Sequence, residues 1–255
     1  MKFSANLGFL WQNEYLPDAI RSAKAAGFDA VECHWPYAVP SEEVLKALSD
    51  TRLKMLGLNT RPGDVAAGDN GLAAIKGRKD EAQKSIDEAI AYAVKINAAN
   101  VHVMAGIANG SEALSTFIEN LDYACKLAAP HNIKILIEPL NTYDVPGYFL
   151  QTTAQAINII DQVSSNNLKL MFDCYHVQLM EGNLTNRLKS LLPYVGHIQF
   201  ASVPNRRAPG FGEIDYMNLF CAIKAMGWKL PLGAEYKIAG DTSKTLQWLY
   251  KARGL

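Results

Sequence analysis

Four oxygen-bearing side chains in the second half of the sequence have types and spacing that suggest chemistry: Glu138, Asp173, Gln199 and Glu235. Each closes, or lies just beside, a short β-prone apolar run. Successive members are 35, 26 and 36 residues apart, close to the ~30 residues of one β-α-β step. Carboxylate and amide oxygens suit a hard divalent cation such as Mg²⁺ or Mn²⁺ better than a thiolate-seeking metal. We therefore expect four consecutive strands to bring one ligand each to a common site for one divalent cation.

Strand-like and helical stretches alternate along the whole chain, and they are the elements that must position these ligands. Predicted strands cover residues 3–7, 30–33, 53–58, 101–104, 134–138, 168–173, 197–200 and 232–235. Predicted helices cover 16–26, a segment opening at 40–43, and 78–96, 111–129, 154–163, 186–192, 216–226 and 242–250. The strand cores are apolar runs, as in parallel sheets covered on both faces. The pattern predicts an α/β fold, a single (β/α)8 TIM barrel domain over residues 1–255.

Several local features refine this prediction. Gly27 is a natural stop for the first helix, whereas Ser41 and Ser111 are predicted N-caps of the second and fourth helices.

Residues 60–77 hold turn sequences and are too long for a tight connection, so they predict a functional loop or lid. An open doubly wound sheet is the alternative fold, but the turn after the first strand, residues 7–10, lacks a G-x-G-x-x-G phosphate motif.

Composition limits the partners that the protein can have. The sequence has 25 basic and 25 acidic residues, so it carries no electrostatic footprint for nucleic acid or an anionic membrane. It shows neither a secretory leader nor an apolar run of the ~18 residues that a membrane span needs. The four cysteines are scattered singly and are interpreted as reduced thiols. We expect a soluble cytoplasmic protein that acts on a small molecule, without a nucleic-acid or membrane partner.

Five motifs, taken together and in order, resemble the hydroxypyruvate isomerase family. This family belongs to the xylose isomerase-like TIM barrels, beside the ketose 3-epimerases. The motifs are Ile-Glu-Pro-Leu-Asn at 137–141, Phe-Asp-x-Tyr-His at 172–176, Gly-His-Ile-Gln at 196–199, Arg-x-Pro-Gly-x-Gly-Glu-Ile-Asp-Tyr at 207–216 and Glu-Tyr-Lys at 235–237. The resemblance covers nearly the whole chain.

The resemblance implies a metal-dependent isomerase without a nucleotide cofactor. Glu138, Asp173, Gln199 and Glu235 would ligate Mg²⁺ or Mn²⁺, and Glu138 and Glu235 would also exchange protons with the substrate. The reaction implied is the interconversion of hydroxypyruvate and tartronate semialdehyde through an enediolate. Gln199 favours this branch, because the 3-epimerases are expected to carry His at that position. Ile238, where Pro is expected, and Leu58, where His is expected, bear on substrate choice, so a 2-oxo-tetronate isomerase or a ketose 3-epimerase stays open.

A substrate that carries a carboxylate also needs cationic or hydrogen-bonding partners. We expect His176, Arg207 and Lys237 to supply them, since the planar fork of Arg can bind both carboxylate oxygens. Asp144 is expected to accept a hydrogen bond from a substrate hydroxyl. A metal-dependent abasic-site endonuclease is disfavoured because the chain is neutral and has only five His. A silent binding protein is the third alternative, and a homo-oligomer is compatible with barrels of this kind.

Overall fold

Parallel strands form the centre of the protein in the computed structural model, which describes residues 1–254. They are β1 (Phe3–Asn6), β2 (Ala30–Glu32), β3 (Lys54–Met55), β4 (Gly57–Asn59), β5 (Asn100–His102), β6 (Lys134–Ile137), β7 (Leu168–Asp173), β8 (Val195–Phe200) and β9 (Leu232–Ala234). Their order in the sheet is β3-β2-β1-β9-β8-β7-β6-β5-β4, and every neighbouring pair is parallel. The predicted parallel barrel is confirmed.

The third barrel strand is interrupted, which differs from the continuous strand predicted at 53–58. β3 and β4 are the two halves of one extended stretch, on either side of Leu56. β2 pairs with β3, and it also meets β4 through Cys33 N–H, which donates to Gly57 O at 3.1 Å. Asn59 N–H donates to His34 O at 2.8 Å, so the ring closes at this point.

Helices surround the barrel in the connections between strands. They are α1 (Leu16–Ala25), α2 (Ser41–Thr51), α3 (Lys79–Ile96), α4 (Gly110–Ala128), α5 (Thr153–Val163), α6 (Cys174–Met180), α7 (Leu184–Leu191), α8 (Tyr216–Ala225) and α9 (Gln247–Arg253). Each buries one apolar face; in α3, for example, Ile86, Ile90 and Ala93 are buried. No helix within residues 1–254 is both long and apolar enough to cross a membrane.

The predicted N-caps of α2 and α4 are wrong. Pro40 precedes α2 in an extended conformation, so Ser41 is already helical and its hydroxyl contacts Glu42 instead of capping the helix. α4 begins at Gly110, which places Ser111 inside the helix rather than before it. Gly27, in contrast, follows α1 with a φ of +92°, a conformation that glycine adopts without strain.

The barrel separates apolar from polar side chains according to the alternation of its strands. On β1, Phe3 points outward and packs edge-on against Phe220 and Trp248 of the surrounding helices. Ser4 and Asn6 alternate with it and point into the barrel, where they contact buried glutamates. Barrel interiors are usually filled by branched apolar residues, so a polar interior indicates a functional centre.

The connection between β4 and α3 is an ordered loop over residues 60–77. Asp64 caps a single 3₁₀ turn, Val65–Ala67. Gly71 forms an isolated bridge with Ala105, and a Cβ at Gly71 would lie 2.6 Å from Met104 O. The loop is thus tied to the connection that follows β5, and its role as a lid stays a prediction.

Candidate active site

The four predicted ligand residues converge at the carboxyl ends of adjacent strands. Glu138 directly follows β6, Asp173 ends β7, Gln199 lies near the end of β8, and Glu235 directly follows β9. Asp173 and Gln199 are register partners. All four residues are buried, with exposed fractions of 5% or less. The structure therefore brings together the four side chains that the strand periodicity placed at one barrel mouth.

Two further side chains link the carboxylates across this mouth. Arg206 Nη2 lies 2.6 Å from Glu235 Oε2 and 3.6 Å from Asp173 Oδ2. His176 Nε2 lies 3.7 Å from Asp173 Oδ2 and 4.0 Å from Glu138 Oε1. Glu138 and Glu235 thus share a single pocket rather than separate faces of the barrel.

Glu235 is fully partnered in this pocket. Its Oε1 accepts from Asn6 Nδ2 at 2.7 Å and contacts His34 Nε2 at 3.2 Å, and its Oε2 pairs with Arg206. The Asn6 amide is oriented by Gly8 N–H, which donates to Asn6 Oδ1 at 2.9 Å. Burial disfavours the charged form of Glu235, but the Arg206 guanidinium and then His34 outweigh it and lower the pKa to about 2.

The other three predicted ligand residues are only partly satisfied. Glu138 Oε1, Asp173 Oδ2 and Gln199 Oε1 are buried and have no hydrogen-bond partner in the described chain, although Asp173 Oδ1 accepts from Tyr175 N–H at 2.9 Å. Burial, followed by the charges of Glu235 and Asp173, raises the pKa of Glu138. Burial also raises the pKa of Asp173 to about 7, against the opposing effect of Arg206. Unpaired buried oxygens of this kind are costly unless a cation or a proton compensates them.

A divalent cation fits this donor set. Four buried carboxylates, those of Glu32, Glu138, Asp173 and Glu235, surround the barrel axis, whereas Arg206 is the cationic side chain paired with two of them. Carboxylates therefore outnumber cationic partners in the pocket. Its unpaired buried atoms within residues 1–254 include Arg206 Nε and both ring nitrogens of His102, and the available ligand atoms among them are the oxygens of Glu138, Asp173 and Gln199. Mg²⁺ and Mn²⁺ prefer oxygen ligands, so the residues present suit either ion.

His176 could in principle be a ligand, because its Nε2 and one oxygen each of Glu138 and Asp173 lie within 4.8 Å of one another. However, the backbone N–H of Asn141 donates to His176 Nδ1 at 3.0 Å. Burial, together with Arg206, lowers the pKa of His176 to about 3, so the ring is neutral near pH 7. A neutral ring that accepts at Nδ1 carries its proton on Nε2. His176 therefore presents an N–H donor to the pocket.

The structure places Arg206, rather than Arg207, at the predicted substrate-binding position. The Arg206 guanidinium lies 4.7 Å from the Phe9 ring and 5.0 Å from the Tyr175 ring. Its φ is +51°, and its carbonyl accepts from Lys237 N–H at 2.7 Å. The Arg207 side chain is exposed. These contacts turn one of two adjacent arginines into the pocket and leave the other in solvent.

Lys237 and Asp144 are the remaining predicted substrate-binding residues. The Lys237 side chain is exposed, and its contact with the site is through the backbone. Asp144 Oδ2 accepts from Tyr175 Oη at 2.8 Å and from Asn141 Nδ2 at 3.1 Å. Although burial opposes it, these two hydrogen bonds and then Arg206 lower the pKa of Asp144. Asp144 therefore lies in the same network as the pocket, whereas the Lys237 ammonium points away from it.

Sequence reasoning assigns no role to several residues that the structure brings into the site, although His34 and His102 are recognisable from the sequence as lying near strand ends. Asn6 and Glu32 are the last residues of β1 and β2, so the strand-end rule used for the second half of the chain would have found them. His34 follows β2 closely, and a Cβ at Gly8 would lie 2.2 Å from its Nδ1. His102 ends β5, and burial lowers its pKa to about 4. Gly8, which makes room for His34, is not among the positive-φ glycines, so no local pattern marks it in the sequence.

Comparison with known proteins agrees with this geometry. The sequence matches the family described as xylose isomerase-like TIM barrel over residues 20–252. It is 39% identical to the 2-oxo-tetronate isomerase of Cupriavidus necator, with 97% of each chain covered. It is 36% identical to the hydroxypyruvate isomerase of Escherichia coli, with 98% of each chain covered. The chain belongs to the hydroxypyruvate isomerase family. Members of this family carry isomerase names, and this chain is an enzyme of the isomerase class.

A solved structure extends the comparison to three dimensions. A protein from Brucella melitensis, described as an AP endonuclease of family 2, is 36% identical and superimposes with a TM-score of 0.94 over 98% of each chain. The predicted fold and the predicted family resemblance are thus both confirmed. The barrel that carries the four predicted ligand residues is thus also found in a solved structure at 36% identity.

Proposed function

We propose that this chain is a divalent-cation-dependent isomerase that interconverts hydroxypyruvate and tartronate semialdehyde in the cytoplasm. The observation that carries the proposal is the set of three buried, unpaired oxygens, on Glu138, Asp173 and Gln199, beside the partnered carboxylate of Glu235. The isomerase names of its relatives support the reaction class.

Glu138, Asp173, Gln199 and Glu235 would hold Mg²⁺ or Mn²⁺. When bound, the cation would polarise the carbonyl and adjacent hydroxyl oxygens of an α-hydroxycarbonyl substrate and stabilise the negative charge that develops on them. No nucleotide cofactor is required, because the reaction moves hydrogen within one molecule.

The two glutamates would carry the protons. In the forward direction one carboxylate removes a proton from C3 of hydroxypyruvate, and the electron pair of the C–H bond moves into a C2–C3 double bond to give an enediolate. The other carboxyl group then delivers a proton to C2, while the hydroxyl proton passes from the oxygen on C3 to the oxygen on C2. Glu138 and Glu235 follow β6 and β9 at one barrel mouth, so either can serve as base or acid according to direction.

Arg206 and His176 would bind the substrate carboxylate. Arg206 Nε is buried and has no partner within residues 1–254, and His176 Nε2 carries the proton of a neutral ring. Both are donors, and a carboxylate only accepts. The Phe9 ring, which lies against Arg206, would exclude water from this ion pair and so strengthen it.

A 2-oxo-tetronate is the second candidate substrate, and a specific observation favours it. This four-carbon acid has one more hydroxyl than hydroxypyruvate, and Asp144 offers an acceptor within the same hydrogen-bond network. The relative from Cupriavidus necator also carries that name. A ketose 3-epimerase is less favoured, because a ketose has no carboxylate to pair with Arg206.

We propose that this chain does not act on nucleic acid, although the Brucella melitensis structure is described as an AP endonuclease. A DNA endonuclease needs a basic surface that contacts phosphates, whereas this sequence has 25 basic and 25 acidic residues. The pocket is itself acidic, which disfavours a polyanion further.

The test uses purified protein treated with EDTA and then supplied with Mn²⁺ or Mg²⁺. Proton NMR in D₂O would follow hydroxypyruvate, a 2-oxo-tetronate and a ketohexose. We expect cation-dependent formation of tartronate semialdehyde with deuterium at C2, no conversion in EDTA, and conversion about 10³-fold slower with Glu138→Gln. Glu181→Gln is the matched control, since Glu181 binds Thr153 and Arg187 away from the pocket. Turnover of the ketohexose with none of hydroxypyruvate would overturn the proposal.

A further inference from the structure

Glu32 is a buried carboxylate at the barrel mouth that the proposed proton transfers do not use. It ends β2, and its side chain reaches across the barrel to β8. Its Oε2 lies 2.6 Å from His197 Nε2 and accepts from Gln199 Nε2 at 3.3 Å. Its Oε1 accepts from Ser4 Oγ at 3.3 Å. Glu32 therefore contacts Gln199 from the side opposite to the unpaired Gln199 Oε1.

A glutamine ligand has an orientation problem that a carboxylate ligand does not have. Its carboxamide has an oxygen that can bind a cation and an NH₂ group that can only donate. A rotation of 180° exchanges the two and presents the NH₂ group to the cation. Because Gln199 is buried, water cannot correct the orientation, and a neighbouring group must fix it.

Glu32 is suited to fix this orientation. An ionised carboxylate only accepts hydrogen bonds, so it favours the rotamer in which Gln199 turns its NH₂ group toward Glu32. The same rotamer leaves Oε1 buried and without a partner within residues 1–254, on the strand next to that of Asp173, the register partner of Gln199. His197 is two residues before Gln199 on β8, and its ring N–H holds the Glu32 carboxylate in place from the same strand.

Gly233 provides an independent sign that space is reserved for this contact. A Cβ at Gly233 would lie 2.2 Å from Glu32 Oε1, 2.8 Å from Gln199 Cγ and 2.9 Å from His197 Nε2. Gly233 lies within β9 and is not among the positive-φ glycines, so its backbone does not require glycine. The missing side chain leaves a passage over β9 through which Glu32 reaches from β2 to β8.

We propose that Glu32 is a positioning residue that directs the carboxamide oxygen of Gln199 toward the divalent cation, with His197 and the space at Gly233 holding Glu32 in place. The inference rests on the proposed cation site and not on the identity of the substrate.

The first test measures Mn²⁺ binding to the metal-free protein by isothermal titration calorimetry, without substrate. Loss of a partner that orients a metal ligand typically weakens metal binding about 10- to 100-fold, so we expect Glu32→Gln to bind Mn²⁺ at least about 10-fold more weakly than wild type. Glu181→Gln makes the same chemical change away from the pocket and should leave Mn²⁺ affinity unchanged. Mn²⁺ affinity of Glu32→Gln equal to that of wild type would overturn the proposal.

Two further variants separate orientation from charge. Glu32→Asp keeps the negative charge but withdraws it from Gln199, so we expect weaker Mn²⁺ binding; wild-type affinity would show that charge alone matters and would overturn the proposal. The swap E32Q/Q199E places a carboxylate at the ligand position, where either oxygen can bind. We expect it to restore affinity to within about twofold of wild type, the usual scatter of such comparisons. No recovery in a folded swap protein would contradict the orienting role.

Thermal unfolding in EDTA checks the fold of every variant, and Glu32→Asp decides the question if Glu32→Gln does not fold. Failure of the inference on Glu32 can also be distinguished from failure of the proposed function. Wild-type protein that binds Mn²⁺ but does not isomerise hydroxypyruvate would remove the proposed substrate and leave this inference standing. Equal Mn²⁺ affinity in wild type and Glu32→Asp would overturn this inference and leave the proposed function standing.

Discussion

Glu138 and Glu235, the two glutamates proposed to carry protons, have surroundings of opposite character, although both are buried in the same pocket at the barrel mouth. Glu235 is held by Asn6, His34 and Arg206. Glu138 has an unpaired oxygen, and its nearest cationic candidate, His102 Nδ1, lies 3.7 Å away on a ring that burial keeps neutral. One side of the site is therefore complete without a cation, and the other is not.

This difference indicates that the two sides of the site have different structural roles. The Glu235 side is fixed by groups from β1, the β2 connection and the β8 connection, so its carboxylate keeps one orientation before any ligand arrives. On the Glu138 side, burial and neighbouring carboxylates raise the pKa of Glu138 and of Asp173, so in the metal-free protein these groups must take up protons or bear an uncompensated charge. Either state costs free energy that a bound cation would relieve. We therefore expect cation binding to relieve the cost on the Glu138 side, whereas the carboxylate of Glu235 is already held in one orientation for the proposed proton transfer.

Substitution of either glutamate should have the largest effects, on both kcat and stability. In either case, Glu138→Gln or Glu235→Gln, we expect kcat to fall by about 10³-fold, since a positioned acid or base contributes about 10² to 10⁴-fold. Their effects on stability in EDTA should have opposite signs. Glu138→Gln removes a buried carboxyl group whose pKa is raised, and with it the free-energy cost of protonating that group or leaving it charged, so it should stabilise the protein by about 1 kcal/mol. Glu235→Gln breaks a buried ion pair and should destabilise the protein by about 3 kcal/mol.

Urea unfolding of both variants in EDTA measures this difference, and Glu181→Gln serves as the control for a Glu→Gln change outside the pocket. Changes of the same sign and size in the two variants would show that the two sides are electrostatically alike, contrary to the hydrogen-bond geometry.

Arg206→Met should have the next largest effect. Truncating one partner of a buried, hydrogen-bonded charge pair costs about 2 to 5 kcal/mol, so we expect kcat/KM for hydroxypyruvate to fall at least about 10²-fold, mainly through KM. The metal-free protein should also lose stability, because Glu235 is left without its cationic partner. The double variant E235Q/R206M should recover part of that stability; strict additivity of the two losses would argue against the ion pair.

The pH dependence of stability tests the raised pKa of Asp173, which lies on the Glu138 side of the site. The pKa of Asp173 is raised to about 7 in the folded protein, above the value of about 3.9 expected in the unfolded chain. The native state therefore binds the proton more tightly, and wild type loses stability as pH rises from about 4 to 7. Asp173→Asn lacks this loss. In EDTA, its unfolding free energy relative to wild type should rise by about 1 kcal/mol per pH unit between pH 5 and 6.5. A flat difference would contradict the raised pKa.

Much of the site could be predicted from the sequence because it lies on strands. The period of the β-α-β unit placed Glu138, Asp173, Gln199 and Glu235 at one mouth, and a strand end fixes where its side chain points. Glu32 obeys the same strand-end rule, which could have placed it at the mouth, but its proposed role depends on Gly233, a residue 201 positions away. A glycine required for space, rather than for its backbone angle, has no local sequence signature.

Loop residues could not be placed in this way. Arg206 and Arg207 are adjacent and chemically identical, and no local pattern distinguishes them. The choice is made by a φ of +51° at Arg206, by Lys237 N–H, which anchors its carbonyl, and by the Phe9 ring on which it stacks. These partners come from the connections after β9 and β1, so only the closed barrel brings them together.

The pair of arginines provides the smallest and most specific expected effect. Arg207→Ala removes an exposed guanidinium, and surface substitutions usually change stability by no more than about 0.5 kcal/mol. We expect its kcat/KM for hydroxypyruvate and its Mn²⁺ affinity to stay within about twofold of wild type, because a free-energy change of 0.5 kcal/mol corresponds to about that factor. Arg206→Ala, measured in parallel, is the matched comparison one residue away. A loss in Arg207→Ala as large as that in Arg206→Ala would show that the loop after β8 rearranges when the substrate binds, since the backbone geometry found here admits only one of the two side chains to the pocket.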